Sequence, residues 1–302
     1  MILITGATGY VGSAMLPHIV ATGEPVRALV RDAKGAAKVK AAGAEAAIGS
    51  VSDPASLDLA MQGVTTVIHL VAVNKNKGSQ TMESINHQGT VNVVAAAKKA
   101  GVTRFIHMSG CNLHSNMPQE FAKTKGLGAD AVKASGIPYT IIGPSVIFGA
   151  GDEFVNNLAD LFKLWFYPVA PVVGNGKTRF APVWKEDVAR VFVKCLQDPQ
   201  TINQSYEIGG PENLEYKQLM QIIKDKLGSH KAMLNVPVWM IKPGVVVMNA
   251  VLSKPPVTPG LLDLLAIDNT PNPNAITTVF GIQPKPLRDG IDYIVQQAAK
   301  HD

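Results

Sequence analysis

Met1-Ile-Leu-Ile-Thr-Gly6-Ala-Thr-Gly9-Tyr-Val-Gly12 opens the chain. Ile2, Leu3 and Ile4 read as a buried strand, and a helical pattern follows from Tyr10. Between them lies a glycine turn of spacing Gly-x-x-Gly-x-x-Gly, rather than the commoner Gly-x-Gly-x-x-Gly. Glycines let backbone come close to a pyrophosphate, and the N–H groups at the start of the new helix face the anion. The turn therefore predicts a dinucleotide cradle made by Gly6, Thr8, Gly9, Tyr10, Val11 and Gly12. A glycine pattern alone is weak evidence, but here it coincides with the first strand of an alternating strand–helix chain.

The second strand, Pro25–Arg31, tells which dinucleotide to expect. An acid near this strand's end is the usual partner of the ribose hydroxyls in NAD binders. Arg31 stands there instead, nineteen residues beyond Gly12. A guanidinium fork matches the oxygens of a 2′-phosphate. NADP(H) is thus favoured over NAD(H). Asp32 could take the acid's role if the register slips by one.

Further strands are read at Ala46–Ile48, Thr66–Leu70, Arg104–Ser109, Tyr139–Gly143 and Ser205–Ile208. Helical patterns fall at Tyr10–Ala21, Ala33–Ala42, Pro54–Met61, Ser84–Ala100 and Gln119–Ala134, and another begins at Trp184. Val- and Ile-rich strands joined by helices imply a parallel sheet covered on both faces. The predicted fold is α/β, a doubly wound parallel sheet of the Rossmann type with a smaller mixed C-terminal lobe. The dinucleotide-binding domain would span 1–148, rejoined by about 181–209. Residues 149–180 and 210–302 would form the substrate or partner lobe.

The 302 residues carry 28 basic and 23 acidic side chains, for a net charge of +5. The basic residues are scattered without aromatic interleaving, which argues against a nucleic-acid surface. Cys111 and Cys195 have no metal or redox spacing and fit a reducing compartment. No metal site is expected. No apolar run reaches the ~20 residues of a membrane span. The nearest, Val236–Leu252, suggests a helix packed in the small lobe or a surface docking on a membrane or membrane complex. A cytoplasmic protein is expected, with peripheral attachment to a membrane as the variant; oligomeric state is not legible.

The opening glycine turn, Ile85-Asn86-His-Gln-Gly89-Thr-Val-Asn and Arg104-Phe-Ile-His-Met-Ser109 resemble the short-chain dehydrogenase/reductase superfamily in its atypical or extended form. Gly143-Pro144-Ser-Val-Ile-Phe148-Gly149 leading into Asp152-Glu-Phe154, then Gly174-Asn-Gly176-Lys-Thr-Arg-Phe180-Ala-Pro182-Val-Trp and Pro255-Pro-Val-Thr258-Pro with Asp268-Asn269, make a narrower match. This series resembles the NADPH-binding accessory subunit of respiratory complex I and its bacterial relatives. The likeness covers nearly the whole chain.

The resemblance implies roles for individual residues. Ser50 and Val51 would bracket the adenine, with Ser50 in place of an acid. Leu70, Val71 and Ala72 would skirt the adenosine ribose and pyrophosphate. Pro144, Ser145 and Val146 would line the nicotinamide. Reductases of the superfamily pair a serine with a Tyr-x-x-x-Lys motif, in which the lysine sits one turn from the tyrosine and lowers its pKa. Ser109 and Lys125 match the serine and the lysine. Phe121 occupies the tyrosine position and has no ionisable proton.

Two functions follow. The first is an NADP(H)-binding protein of the complex I accessory-subunit type with weak or no catalysis. The second is an NADPH-dependent reductase of a small hydrophobic carbonyl or enone, with Lys125 or His114 moving the proton. If active, the chain is an NAD(P)-dependent oxidoreductase. A nucleotide-sugar epimerase or an NADP-sensing regulator is the weaker option. Cys111, His114 and Tyr10 are expected on loops facing the cleft. Asn86 is expected to bond backbone nearby, and His69 and His107 to be satisfied core histidines.

Overall fold

The structure is a computed structural model that describes residues 1–163, 169–241, 245, 259–272 and 274–298. The Pro255–Thr258 motif lies outside these residues, as does most of the apolar stretch beyond Ile241. The chain divides into two compact units. One comprises Met1–Pro144, Lys185–Ile208 and Ala275–Ile282; the other comprises Ser145–Trp184, Gly209–Asn274 and Gln283–Asp302.

The first unit alternates strand and helix: β1 (Ile2–Thr5), α1 (Tyr10–Val20), β2 (Val26–Val30), α2 (Ala33–Ala41), β3 (Glu45–Ile48), α3 (Pro54–Ala60) and β4 (Thr66–His69). It continues with α4 (Gln88–Lys99), β5 (Arg104–Met108), α5 (Glu120–Lys133) and β6 (Tyr139–Pro144). The seven strands of its sheet lie in the order β11-β6-β5-β4-β1-β2-β3, where β11 is Gln204–Ile208. All of these pairings are parallel. The strands expected from sequence are all present, with ends differing by a residue or two.

Parallel strands buried on both faces need apolar residues throughout. Leu3, Ile4, Val67, Ile68, Phe105 and Ile106 are accordingly inaccessible. One face carries the core of α3, α4 and α5, with Leu57, Val93 and Val132 packed on Leu3, Val67 and Phe105. On the other, α1 packs against a helix rejoining from the chain's middle, α7 (Lys185–Gln197). The segment Ala275–Ile282 also returns to this unit, and Phe280 meets Tyr206 of β11 edge to face at 5.2 Å.

One helix departs from expectation. Ser84–Ala100 is not a single α-helix, because the chain enters α4 through a π-helical turn, Glu83–His87. The wider turn carries the buried Asn86.

The second unit holds short two-stranded pairings, β7 (Ile147–Phe148) with β10 (Val183–Trp184) and β8 (Val169–Val173) with β13 (Ala232–Val236) among them. The pairing of β7 with β10 draws Ile147 and Phe148 into this unit, so the division falls at Pro144 rather than at residue 148. Its core gathers Phe148, Leu158, Phe180, Tyr216 and Ile223 around α6 (Phe154–Lys163) and α8 (Tyr216–Lys226). The Asp152-Glu-Phe154 stretch acts here as a cap. Buried Asp152 accepts the N–H groups of Val155 (2.6 Å) and Asn156 (3.3 Å) through Oδ1, and the Tyr293 hydroxyl through Oδ2.

Gly12 is the tightest point of the first turn. A Cβ there would lie 2.1 Å from Gly6 O and 2.8 Å from Ala7 Cα, both backbone atoms without freedom to yield. Gly12→Ala is therefore expected to destabilise the protein by about 1–3 kcal/mol, seen as a lower midpoint in thermal unfolding. An unchanged midpoint would contradict this packing.

Candidate functional site

The strand order reverses between β1 and β4, since β2 lies on one side of β1 and β4 on the other. In open α/β sheets, ligands sit in the crevice beyond the strand ends at such a reversal. Gly6, at φ +83°, lies there. A Cβ on it would meet Val71 N at 3.2 Å and the Leu70 carbonyl carbon at 3.3 Å, while Leu70 N–H donates to Thr5 O at 3.0 Å. Gly6, Leu70 and Val71 are thus brought together by the adjacent strand ends. The cap residue of α1 is Gly9, with no side chain to satisfy the first amides, and the first turn has no acid. Thr8 and Gly9 are exposed, Tyr10 is half-buried, and Val11 and Gly12 are buried. An uncapped helix start with its positive dipole end at the switch point suits an anionic pyrophosphate. Tyr10 is the first residue of α1 rather than a loop residue, and Lys185 Nζ lies 5.5 Å from its ring centroid.

At the end of β2, Asp32 caps α2, with Gly35 N–H donating to its Oδ1 at 2.7 Å. Arg31 is exposed and makes no hydrogen bond or ion pair among the described residues. Beyond β3, Ser50 Oγ accepts Ser52 N–H at 3.2 Å. Val51 is buried, and its carbonyl accepts Asn92 Nδ2 at 3.0 Å. Ala72 is exposed beyond Val71.

A buried polar chain runs behind the crevice. Thr5 Oγ1 and His69 Nδ1 are 2.6 Å apart, and His69 Nε2 and Thr90 Oγ1 are 3.0 Å apart. Thr90 spends its only hydroxyl proton on Asn86 O at 2.7 Å, so His69 carries its proton on Nε2 and accepts the Thr5 hydroxyl at Nδ1. Burial, aided by Lys125, pushes the His69 pKa down to about 3, so the ring is neutral. Asn86 accepts Val73 N–H at 2.8 Å and donates to Val73 O at 2.9 Å, fixing the chain just past the switch point. Asn86 therefore bonds backbone, as expected. The Thr5–His69–Thr90 connection is not visible in the sequence; the signal was two polar residues closing apolar strands that pair in register.

His107 stacks on His69, with centroids 5.3 Å apart and planes at 16°. It does not fit the expectation of a satisfied histidine: both ring nitrogens are buried without a hydrogen-bond partner among the described residues. The register that sets His107 beside His69 leaves its ring wholly inside the sheet's core. Burial first, then Lys125, then His69, holds its pKa well below the usual histidine range.

Lys125 projects from α5 into the interior and is almost fully buried; its Nζ donates to Met108 O at the end of β5. Burial lowers its pKa from 10.5 to about 8. Phe121 lies one turn earlier on α5 and is half-buried. Ser109 follows β5 and donates its N–H to Ile142 O at 2.8 Å. The loop after Ser109 presses on α5 where Gly126 leaves room: a Cβ there would lie 2.2 Å from Ser115 N and 2.3 Å from the His114 carbonyl carbon. The His114 backbone is thus held against Gly126, the residue after Lys125, with His114 itself exposed. Cys111 does not face the cleft. It is wholly buried, its Sγ is 3.5 Å from Glu207 Oε2, and burial together with that carboxylate pushes its pKa up, the reverse of an activated thiol.

Pro144 closes β6, and its carbonyl accepts Cys111 N–H at 2.9 Å. Ser145 and Val146 begin the second unit. The Ser145 hydroxyl donates to Asn269 O at 2.5 Å and accepts Ala181 N–H at 3.1 Å, so its side chain is engaged within that unit. Among the described residues no group of His, Cys, Asp and Glu is placed to hold a metal, and no helix is long and apolar enough to cross a membrane.

A doubly wound parallel sheet with a glycine turn at its switch point defines the class, a Rossmann-type α/β protein. Within that class the chain belongs to the NmrA-like family, whose model matches residues 1–253. It is 24% identical over 287 residues to the mitochondrial NADH-ubiquinone oxidoreductase 40 kDa subunit of Neurospora crassa, covering 93% of this chain and 75% of that one. It is 29% identical over 219 residues to the NAD(P)H azoreductase of Xenophilus azovorans, covering 71% of this chain and 69% of that one. Its fold matches the crystal structure of Citrobacter sp. triphenylmethane reductase complexed with NADP(H), with a TM-score of 0.76 at 22% identity over 99% of this chain and 100% of that one.

The Lys125 environment has a definite pH signature. Between about 8 and 10.5 the unfolded chain holds the lysine proton and the folded chain does not. Stability therefore rises with pH across that window. Relative to Lys125→Met, which cannot titrate, the native protein should gain about 3 kcal/mol between those limits in urea unfolding. A difference independent of pH would place the ammonium in water.

Proposed function

We propose that this protein binds a nicotinamide dinucleotide, NADP(H) in preference to NAD(H), and turns over substrate weakly or not at all. The observation that carries the binding is the uncapped start of α1 beside Gly6 at the switch point. Gly12 supports this arrangement from inside: with no Cβ it lets α1 close against the backbone of Gly6 and Ala7, which sets the helix start at the strand end. Arg31 and Asp32 support the choice of NADP(H). The acid that would serve ribose hydroxyls is occupied as the α2 cap, while the adjacent guanidinium is exposed and unpartnered among the described residues, ready for a 2′-phosphate. The likeness to an NAD(P)H azoreductase agrees with a nicotinamide dinucleotide.

When bound, the dinucleotide supplies a hydride donor or acceptor. By resemblance Lys125 would hold the nicotinamide ribose, with Ser109 beside it at the end of β5. Ser50, Val51, Leu70, Val71 and Ala72 would follow the adenosine half; Pro144, Ser145 and Val146 are carried over for the nicotinamide by resemblance. The phenol that would move the proton is replaced by Phe121, which has nothing to give. Bound dinucleotide then stabilises the fold by RT ln(1 + L/Kd) at free concentration L, a gain that grows with the logarithm of L above the dissociation constant. The likeness to complex I subunits extends the reading to attachment beside a membrane complex.

One observation favours a second reading. A buried lysine with a pKa of about 8 exchanges its proton near neutral pH, so Lys125 itself could serve a reductase. His114 is the less suited group, being exposed on its loop.

Two experiments separate these readings. Arg31→Asp should abolish the preference for NADPH over NADH in fluorescence titrations while leaving NADH binding intact; unchanged preference would refute the phosphate role. Across a panel of carbonyl and enone substrates, NADPH consumption should stay near background, and Phe121→Tyr should raise it about 10-fold or more. Brisk turnover by the native protein, lost in Lys125→Met, would establish the second reading instead.

A further inference from the structure

The loop that leaves the switch point after β4 has a structure of its own. Lys77 N–H donates to Gln80 O at 2.9 Å, and Gln80 N–H donates to Lys77 O at 3.1 Å. Gly78 turns the chain between them at φ +57°. Thr81 N–H donates to Ser84 Oγ at 2.9 Å, and Ser84 N–H returns a bond to Thr81 Oγ1 at 3.0 Å. These internal bonds make the loop a small rigid piece, although the stretch from Asn74 to Gln80 is exposed.

Two asparagines clip this piece to α5 by the same device. Asn86 accepts Val73 N–H through Oδ1 and donates to Thr124 Oγ1 through Nδ2 at 3.3 Å. Asn76 accepts Met82 N–H through Oδ1 at 2.7 Å, and its Nδ2 lies 3.3 Å and 3.2 Å from the two carboxylate oxygens of Glu120. Each carboxamide thus uses its oxygen within the loop and its amide on the helix. Glu120 and Thr124 are one turn apart on α5, joined by the Thr124 hydroxyl donating to Glu120 O at 2.8 Å. The clips differ in their surroundings. Asn86 and Thr124 are 1% and 2% exposed, whereas Asn76 and Glu120 lie at the surface. Water replaces the outer clip at little cost and cannot reach the inner one. The outer clip is therefore the one that opens, with Asn86 as the hinge.

This bridge spans the edge that a dinucleotide has to follow. The loop starts just beyond Val71, which meets Gly6 at the switch point. Its far anchor, Glu120, immediately precedes Phe121 on the helix that carries Lys125. A dinucleotide reaching from the start of α1 to Lys125 runs along the same carboxyl edge of the sheet.

We infer that residues 74–81 form a strap that gates dinucleotide exchange, with Asn76 and Glu120 as its latch. This rests on the dinucleotide reading above. A strap latched before and after binding slows entry and exit alike. Stopped-flow NADPH fluorescence tests it. Asn76→Asp keeps an acceptor for Met82 N–H and sets a carboxylate against Glu120. Adding Glu120→Gln restores a donor–acceptor pair with the roles exchanged. Asn76→Asp should speed association and dissociation together by roughly fivefold, leaving the dissociation constant within about twofold of the native value. The double variant should return both rates to native. Limited trypsin digestion of the protein without dinucleotide should cut after Lys75 and Lys77 faster in Asn76→Asp, and at the native rate in the double variant. Unchanged exchange rates or unchanged digestion in Asn76→Asp would overturn the gate while the dinucleotide reading stands. So would faster dissociation alone with a matching loss of affinity, which would make Asn76 a ligand contact. Failure of the native protein to bind NADPH would overturn both.

Discussion

Backbone meets backbone at the end of the first strand, and the remainder of the first unit is arranged around that approach. Gly6, Ala7 and Gly12 stack within a single turn, and the chain beyond β4 comes against Gly6 from the other side. No side chain separates these segments, so the amides of α1 stand where the sheet's order reverses. This geometry requires glycine at Gly12 for space and favours it at Gly6 for a positive φ. An anion at this point would meet helix N–H groups that no capping side chain has already claimed.

Behind this contact the interior is polar where an ordinary core would be apolar. Thr5, His69, Thr90 and Asn86 form one buried chain in which each donor finds an acceptor, and Asn86 carries the connection to the backbone of Val73. Such a chain ties β1, β4, the π-helical turn and α4 together with directional bonds. Lys125 and His107 lie on its edge under different terms. Among the described residues Lys125 donates to one carbonyl, and the ring nitrogens of His107 have no hydrogen-bond partner. Desolvation dominates both, which is why the lysine sits near the point of losing its proton and the histidine stays neutral.

Much of the first unit was legible from sequence because its signals are local. Val- and Ile-rich strands and the glycine turn state their own conformation. Asp32 reads from sequence as an alternative acid for the ribose hydroxyls, but its use as the α2 cap appears only when Gly35 turns back on it. Cys111 looked like a cleft residue by its distance from Ser109, yet it is buried against Glu207, ninety-six residues away in the chain. The π-helical turn before α4 was hidden as well, since periodicity does not distinguish one extra residue in a helical turn from a regular start.

By itself the sequence determined the alternation of strand and helix, the glycine turn after β1, the arginine after β2 and the phenylalanine at position 121, because each depends on residues within a few positions of one another. The tertiary structure alone decided which polar groups are paired. It satisfied His69, orphaned His107, buried Lys125 and engaged Ser145 with Asn269. Hydrogen-bond partners and solvent exclusion come from segments distant in the chain, and no local pattern encodes the partner that a fold will bring.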